Sequence, residues 1–333
     1  MLLSGWLAAI LLLLACVGYL FYVPSLSFLA ILSVGVPWLM LGTLFIAVYL
    51  GLLGKNRAVF PSVVLLIGFL CFGTIYEFGP TAEVVSKPTS LSVMTYNVRD
   101  FNEQGIFKPE DAGDRIVALI EENNPDILCF QEYSRRRTKG FKDYPYQYIT
   151  PGNSGKSAQA IFSKYPIVDT GAIPFPNSAN NTIYADIRFD QDTLRVYNVH
   201  LQSYQIYGTL RHIARRFGLE LLNNIGSVME KHQEQARLVK AHQEASPYPS
   251  LLCGDFNSTA FTNTYRELQK GMQDSFKEKG SGWGTTYLLG RGVPFRIDYI
   301  LASEGFEILS HRNFEERLSD HLPVLVTLKP ESH

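Results

Sequence analysis

The charged residues of this 333-residue chain are distributed so unevenly that its two parts cannot share the same surroundings. Between Met1 and Phe78 the only side chains that are charged at neutral pH are Lys55, Arg57 and Glu77. All seven histidines and nearly all the other charged residues come later. The net charge of -1 therefore averages two unlike segments, and each is interpreted on its own.

The first segment contains three apolar runs that are each about as long as a membrane-spanning helix, which needs about 20 mostly apolar residues. They predict transmembrane helices at about residues 5–23, 26–53 and 58–76. A cleaved signal peptide is the alternative for the first run, but no positively charged residue precedes it and two further apolar runs follow it. We therefore expect residues 1–78 to form a membrane anchor.

The positive charges near the membrane ends predict how the chain is oriented. Lys55 and Arg57 are the only such residues before Lys87, and positive residues tend to remain cytoplasmic. The third helix would then leave the cytoplasm, which predicts a multi-pass membrane protein with an extracytoplasmic second half. Residues 77–90 contain two prolines and no apolar periodicity, which is typical of a linker.

From residue 91 to residue 329 the pattern changes to short apolar strands separated by helical stretches and turns. The segment Asp126–Gln131 is almost continuously apolar, as expected of a strand that is buried on both faces. A mixture of this kind suits two packed β-sheets flanked by helices. The predicted fold class is therefore α/β, with one catalytic domain following three transmembrane helices.

Polar residues collect at the ends of the predicted strands. Taken singly, each of them could be a turn or capping residue. Together they supply carboxylates, carboxamides and imidazoles, the ligands and proton carriers that metal-assisted phosphoryl hydrolysis requires. These residues are Asn97, Glu132, Asn198, His200, Asp255, Asn257, Asp298, Asp320 and His321.

The sequence around these residues resembles, in order, the signature of the endonuclease/exonuclease/phosphatase superfamily. That superfamily includes deoxyribonucleases, neutral sphingomyelinases and inositol polyphosphate 5-phosphatases. The resemblance implies a four-layer α/β sandwich with its site at one end of the packed sheets. The motifs are Thr95-Tyr96-Asn97-Val98, Gln131-Glu132, Asn198-Val199-His200-Leu201, Gly254-Asp255-Phe256-Asn257, Arg296-Ile297-Asp298-Tyr299-Ile300 and Ser319-Asp320-His321-Leu322-Pro323-Val324.

The resemblance also implies a metal site. Glu132 would be the principal Mg²⁺ ligand, with Asn97 beside it and Asp320 near the ion, and Mn²⁺ could substitute. Mg²⁺ prefers few carboxylates and keeps several waters, which agrees with this set of residues.

The remaining motif residues would carry catalysis and substrate binding. Asp298 would orient His321, which would act as a base or stabilise the phosphate charge, since imidazole titrates nearest to neutral pH. The implied catalytic residues are His200, Asp255, Asn257, Asp298 and His321. The implied substrate-binding residues are Asn198, His200 and Asn257.

One position departs from the family pattern. Some nucleases of the family have an acidic residue two places after the first-strand Asn, and here that place holds Arg99. Asp100 follows, but strand alternation predicts that it points the other way. A second metal at this edge is therefore not expected.

The substrate is predicted less directly. The short tether and the extracytoplasmic placement favour a phosphorylated lipid or lipid-linked headgroup over nucleic acid. A nuclease that degrades DNA or RNA is the alternative, but the second segment is nearly balanced in charge and lacks the basic surplus that phosphate backbones attract. A catalytically inactive scaffold is a third possibility, and no protein partner is inferred. The basic helical pattern in Ser203–Lys231 is interpreted either as a membrane-docking helix or as outer packing.

Overall fold

A computed structural model describes most of the chain, and its contacts divide the chain into two compact units. The first unit comprises Met1–Tyr76, Tyr204–Ala236 and Ser258–Glu267, and the second comprises Glu77–Ser203, Arg237–Asn257 and Leu268–His333. Two stretches of the expected catalytic segment thus belong with the apolar helices, so the contacts divide the chain at other points than the sequence pattern does. The described residues are 2–79, 89–103, 105, 110–151, 158–204, 218–289 and 292–331.

The first unit is built around three apolar helices, α1 (Leu2–Leu20), α2 (Leu32–Leu52) and α3 (Val59–Phe72), with a 3₁₀ helix over Pro24–Ile31 leading into α2. The three helices pack against one another through small and aliphatic side chains, of which Ala9 is an example. These are the helices that the three apolar runs predict.

Their lengths differ from the prediction. In the part of the chain that is described, one helix is long and apolar enough to cross a membrane, Pro24–Leu52, with a mean hydropathy of 2.1. The other two apolar helices, over Trp6–Leu20 and Asn56–Phe72, are shorter. The third ends four residues before the expected residue 76 because Gly73 adopts a φ of 72°, which stops the helix. Helix length therefore supports one membrane span rather than three.

The first unit also contains a segment from far along the sequence. Helix α6 (Asn263–Gln269) lies at the end of α1, where the Asn263 side chain donates to the carbonyl of Tyr19 over 2.8 Å. Arg266 donates to the carbonyl of Leu20 over 3.1 Å. The last carbonyls of a helix have no partner within it, so these two side chains cap α1.

The second unit contains two six-stranded sheets. The first sheet has the order β13-β14-β1-β2-β4-β3, and the second has the order β9-β12-β8-β7-β6-β5. Their strands are β1 (Leu91–Asn97), β2 (Ile127–Tyr133), β3 (Tyr146–Ile149), β4 (Ala158–Ser163), β5 (Ile167–Pro174), β6 (Asn181–Phe189), β7 (Asp192–His200), β8 (Ser250–Asp255), β9 (Met272–Asp274), β12 (Asp298–Ser303), β13 (Phe306–Asn313) and β14 (Val324–Pro330). A separate hairpin pairs β10 (Tyr287–Leu289) with β11 (Val293–Phe295).

Two parallel pairs determine where the site forms. Strands β1 and β2 run parallel in the first sheet, and β7 and β8 run parallel in the second, whereas the other ladders are antiparallel. The carboxyl ends of each parallel pair meet at one edge, which brings the polar strand ends of the motifs together. An apolar layer that includes Val93, Cys129, Val196 and Cys253 joins the two sheets.

Three further helices are described besides α6: α4 (Ala112–Asn123), α5 (Leu219–Glu244) and the short α7 (Ser275–Lys279). Helices α4 and α7 belong to the second unit, and α5 begins in the first unit and ends in the second. Helix α4 buries Ile116 and Ile120 in a second apolar cluster on the first sheet, as its helical spacing predicts. The α/β class with two mixed sheets and flanking helices is confirmed.

Two predicted segments are only partly described. Glu77 and Phe78 begin the expected linker, but they pair antiparallel with Gly282 and Ser281, so they form a short strand. Residues 80–88 lie outside the described part of the chain. The basic helical pattern within Ser203–Lys231 falls largely on residues 205–217, which also lie outside it.

Candidate active site

Three neighbouring strands of the second sheet each carry a residue of the candidate site at the same edge: β7 ends at His200, β8 ends at Asp255 and the antiparallel β12 begins at Asp298. His200 is the register partner of Asp255 across the parallel pair β7 and β8. Asp255 is in turn the partner of Asp298 across β8 and β12. Residues that pair directly across a sheet share a face, so these three side chains lie side by side. All three are buried, which makes their charges depend on one another.

His321 completes this group from outside the strands. Its Nδ1 lies 2.9 Å from Asp298 Oδ2, and its Nε2 lies 3.6 Å from Asp255 Oδ2. Burial alone would lower the pKa of His321, but the charges of Asp298 and Asp255 outweigh it and raise the pKa to about 10. The raised pKa favours the imidazolium form of His321, and its Nδ1 lies within hydrogen-bond distance of the Asp298 carboxylate, the residue that the resemblance implies would orient it.

His200 has the opposite character. Burial, reinforced by the positive charge of His321, lowers the pKa of His200 to about 4, so the ring is neutral near pH 7. Its Nε2 is buried without a hydrogen-bond partner among the described residues, and lies 3.8 Å from Asp255 Oδ2. A buried ring nitrogen of this kind is a strong candidate for a substrate or leaving-group contact, because native structures rarely leave such atoms unpaired.

Asn97 and Glu132 bring the first sheet into the site. They end the parallel strands β1 and β2, where Asn97 is the register partner of Gln131. Asn97 Nδ2 lies 3.3 Å from Glu132 Oε1 and 3.2 Å from Asp255 Oδ2. One amide therefore stands between a carboxylate from each sheet.

The donor set fits a divalent cation. Asp255, Asp298 and His321 each offer an atom within 4.8 Å of the others, but Asp298 and His321 bind each other. The carboxylates that remain are Asp255 and Glu132. Burial raises the pKa of Asp255 to about 7, with His321 opposing the rise, so a cation beside it would restore its charge. Glu132 and Asp255 are thus the residues that would hold the ion, and Asn97, which the sequence also assigns to the metal, directs its amide nitrogen at both of them.

Asp320 lies near the site, since its charge contributes to the raised pKa of His321, but its carboxylate has other partners. Its carboxylate forms an ion pair with the guanidinium of Arg99 and also accepts a hydrogen bond from Ser319 Oγ over 3.2 Å. The structure therefore places Asp320 in an Arg pair, whereas Asp255, which the sequence assigns to catalysis alone, lies beside Asn97 and Glu132. A sequence motif does not indicate which of two acidic residues will form an ion pair with an arginine.

Arg99 begins a turn that the sequence does not predict. The four residues from Arg99 to Asn102 all have φ between 42° and 57°, a left-handed conformation that costs about 1–2 kcal/mol per residue for a side chain other than glycine. Strand β1 ends at Asn97, so the alternation expected for Asp100 does not apply. Burial, and then the charge of Glu132, raise the pKa of Asp100, which places Asp100 within electrostatic reach of Glu132.

The other two predicted substrate contacts are used within the protein. Asn257 donates its side-chain amide to the carbonyl of Leu201 over 3.0 Å, and its backbone N–H to Asp255 over 2.8 Å. It therefore braces the ends of β7 and β8. Asn198 is fully buried one layer below the site and does not join the group around Asp255.

One aromatic residue at the site was not predicted. The ring of Tyr287, in β10, lies 4.8 Å from the ring of His321 at an interplanar angle of 51°. Leu288, next to it, donates its backbone N–H to the carbonyl of Asp320. The sequence signal was a short aromatic-containing hairpin directly before the Arg296–Ile300 motif.

Comparisons with solved structures support this fold. A structure titled as an endonuclease/exonuclease/phosphatase from Bacteroides vulgatus matches with 19% identity and a TM-score of 0.57, over 73% of this chain and 100% of the other. The D. rerio TDP2 complexed with single strand DNA product matches with 16% identity and a TM-score of 0.55, over 73% and 100%. A Bacteroides thetaiotaomicron mannosyl-6-phosphatase matches with 20% identity and a TM-score of 0.53, over 72% and 99%.

The family model is the more specific finding. No functionally curated protein matches the chain. The model described as "Endonuclease/Exonuclease/phosphatase family" matches residues 94–321, which is more than half of the chain and includes every site residue from Asn97 to His321. Members of this family hydrolyse phosphoric esters and typically depend on divalent metals. The chain therefore belongs to the endonuclease/exonuclease/phosphatase family and is a hydrolase of phosphoric ester bonds.

Proposed function

We propose that this chain hydrolyses a phosphodiester or phosphomonoester of a membrane lipid or lipid-linked headgroup, by metal-assisted attack of water. The observation that carries the lipid assignment is the apolar outer surface of the three N-terminal helices. The chemistry of the site supports the reaction, and the surface of the helices supports the location.

The site holds two imidazoles in different states, which suits phosphate hydrolysis. A phosphate ester carries negative charge that repels a nucleophile, and the His321 imidazolium would stabilise that charge. The neutral His200 has a buried Nε2 without a hydrogen-bond partner among the described residues, and this atom would contact the phosphate or its leaving oxygen. A divalent ion held by Glu132 and Asp255 beside Asn97, Mg²⁺ with Mn²⁺ able to substitute, would supply further positive charge at the phosphoryl oxygens.

The outward faces of the three helices carry large apolar side chains, whose exposure to water is unfavourable. Trp38, Phe45 and Leu70 are 63%, 63% and 74% exposed, and large exposed apolar side chains occur on all three helices. Exposed apolar side chains of this kind are typical of a lipid or protein interface. Helix length alone favours only the span that contains α2, since α1 has 19 residues and α3 has 14. From the exposed apolar side chains on all three helices, we propose that α1 and α3 also lie in the membrane beside α2, which gives a multi-pass anchor.

The proposed topology makes a direct prediction. A reporter that is active only outside the cytoplasm is expected to be active when it is fused after Lys87 and silent when it is fused after Arg57, because Lys55 and Arg57 should stay cytoplasmic. Reporter activity at matched expression levels measures this. The reverse pattern would place the site in the cytoplasm and would contradict the extracytoplasmic assignment.

The substrate class is tested by a panel of phosphoesters, assayed with Mg²⁺ and with Mn²⁺. The full chain in lipid nanodiscs should release a fluorescent headgroup from vesicles that contain a phosphorylated lipid, and should leave supercoiled plasmid intact. Nicking of plasmid without headgroup release would instead support the nuclease, an activity for which the DNA-bound TDP2 provides a structural precedent. Hydrolysis of no member of the panel would refute the proposed reaction.

A further inference from the structure

A layer of amide and hydroxyl groups lies between the two sheets of the second unit, directly below the site. Thr95, Gln131 and Gln159 contribute to it from the first sheet, and Asn198 contributes from the second. All four side chains are at most 3% exposed. They separate the charged site from the apolar layer that joins the sheets.

This layer surrounds an irregularity in strand β2. Phe130 pairs with Ala160 of β4, but the next pair is Tyr133 with Ala158, so β2 carries one extra residue at this point. Glu132 lies in this bulge with a φ of 49°. A β-bulge redirects a side chain and disrupts the ladder locally, so here it determines where the Glu132 carboxylate points.

Asn198 reaches the bulge from the opposite sheet. Its Nδ2 donates to the carbonyl of Phe130 over 2.8 Å and to the carbonyl of Ala160 over 3.0 Å. Its Oδ1 accepts from Gln131 Nε2 over 2.7 Å. Gln159 Nε2 donates to the backbone carbonyl of Asn198 over 2.8 Å. The side chain of Asn198, in the second sheet, thus bonds to both strands of the first sheet that pair at the bulge, β2 and β4.

The same residue lies directly behind the catalytic end of its own strand. Asn198 is two residues before His200 in β7, so both side chains lie on the face toward the first sheet. It is also the register partner of Cys253, two residues before Asp255 in β8. Its position is therefore tied to the site residues of the second sheet.

We propose that Asn198 is a positioning residue that holds the Glu132 bulge of the first sheet at a constant distance from His200 and Asp255 of the second. The candidate metal ligands come from both sheets, so their spacing depends on how the sheets are joined at this level. The inference rests on the proposed function, because it assigns Asn198 to the arrangement of the same site. In the low-dielectric interior each of these hydrogen bonds is strengthened, so removing the amide that forms three of them should disturb the geometry of the bulge.

The test measures Mn²⁺ binding as well as turnover. The full chain would be titrated with Mn²⁺ by electron paramagnetic resonance, and the kcat and KM values would be measured with bis(4-nitrophenyl) phosphate. Asn198→Leu removes the whole contact. Gln159→Met removes the hydrogen bond from Gln159 to the carbonyl of Asn198. Gln159 lies on β4, which carries no site residue. Ile161→Val, in β4 within the same layer between the sheets, is the matched control for a loss of packing.

Residues that orient metal ligands typically change metal affinity 10–100-fold when they are replaced. Asn198→Leu is therefore expected to weaken Mn²⁺ binding by at least about tenfold and to lower kcat more than it raises KM. Gln159→Met should show a smaller loss in the same direction, and Ile161→Val should retain wild-type Mn²⁺ affinity whatever its effect on the Tm.

Two outcomes would overturn the inference. Folded Asn198→Leu with Mn²⁺ affinity and kcat within twofold of wild type would remove the positioning role. If Asn198→Leu does not fold, wild-type Mn²⁺ affinity in Gln159→Met would overturn it instead. A wild-type protein that binds Mn²⁺ without hydrolysing any phosphoester would refute the proposed reaction, while the affinity comparison would still decide the role of Asn198.

Discussion

Glu132→Gln is expected to reduce metal-dependent phosphoester hydrolysis by roughly 10²–10⁴-fold, because a bound metal ion supplies several kcal/mol of transition-state stabilisation and each 1.36 kcal/mol is tenfold in rate. The amide retains the shape of the side chain and its place in the bulge but loses the charge that would bind a divalent ion. Asn97 contacts both Glu132 and Asp255, so the loss of one carboxylate leaves an incomplete ligand set. The kcat/KM for bis(4-nitrophenyl) phosphate with Mg²⁺ and with Mn²⁺ measures the effect.

The control for Glu132 makes the same substitution at an acid outside the candidate site. Glu316→Gln alters a half-exposed acid that pairs with Arg115, and it should leave kcat/KM unchanged. Thermal unfolding by circular dichroism should give similar Tm values for both variants. Mg²⁺-dependent activity of Glu132→Gln within tenfold of wild type would remove Glu132 from the role proposed for it.

His321→Ala should have an effect of similar size, about 10²–10⁴-fold on kcat. The imidazolium is kept charged by Asp298 and Asp255, and its removal leaves those two buried carboxylates without their positive partner. Asp298→Asn should lower kcat by less than His321→Ala does. The amide can still bond to His321, and only the negative charge that raises the pKa of His321 is lost. Single-turnover rates on the same diester separate this effect from changes in binding.

A second histidine variant provides the control for His321. His242→Gln alters a partly buried ring whose Nδ1 bonds to the hydroxyl of Tyr197, outside the candidate site. Its single-turnover rate should equal that of wild type. Equal losses in His242→Gln and His321→Ala would indicate general destabilisation and would contradict a specific role for His321.

The sequence predicted the group at the centre of the site because most of its members lie at an end of a strand. His200 and Asp255 follow apolar runs and Asp298 precedes one, and parallel or adjacent strands bring such ends to one edge. Glu132 and Asn97 follow the same rule in the first sheet. This part of the prediction depended on local pattern and chain order alone.

The remaining features depend on contacts that are distant in sequence. Nothing near Asn198 indicates a bulge 68 residues earlier that needs its amide. The ion pair of Arg99 with Asp320 spans 221 residues and arises from a left-handed turn in which no glycine occurs. Hydrophobic periodicity predicts neither arrangement. It indicates which face of a strand or helix is buried, whereas both arrangements provide partners for individual polar groups.

The first unit has a consequence for how such a protein can be rebuilt in evolution or in the laboratory. It combines the three apolar helices with two later stretches of the chain, and the end of α1 is capped by Asn263 and Arg266. A foreign segment grafted in place of residues 1–78 would have to end a helix where those two side chains can reach its last carbonyls. The first unit is therefore not contained in residues 1–78, and a change in the length of α1 would separate it from the caps that a later part of the chain provides.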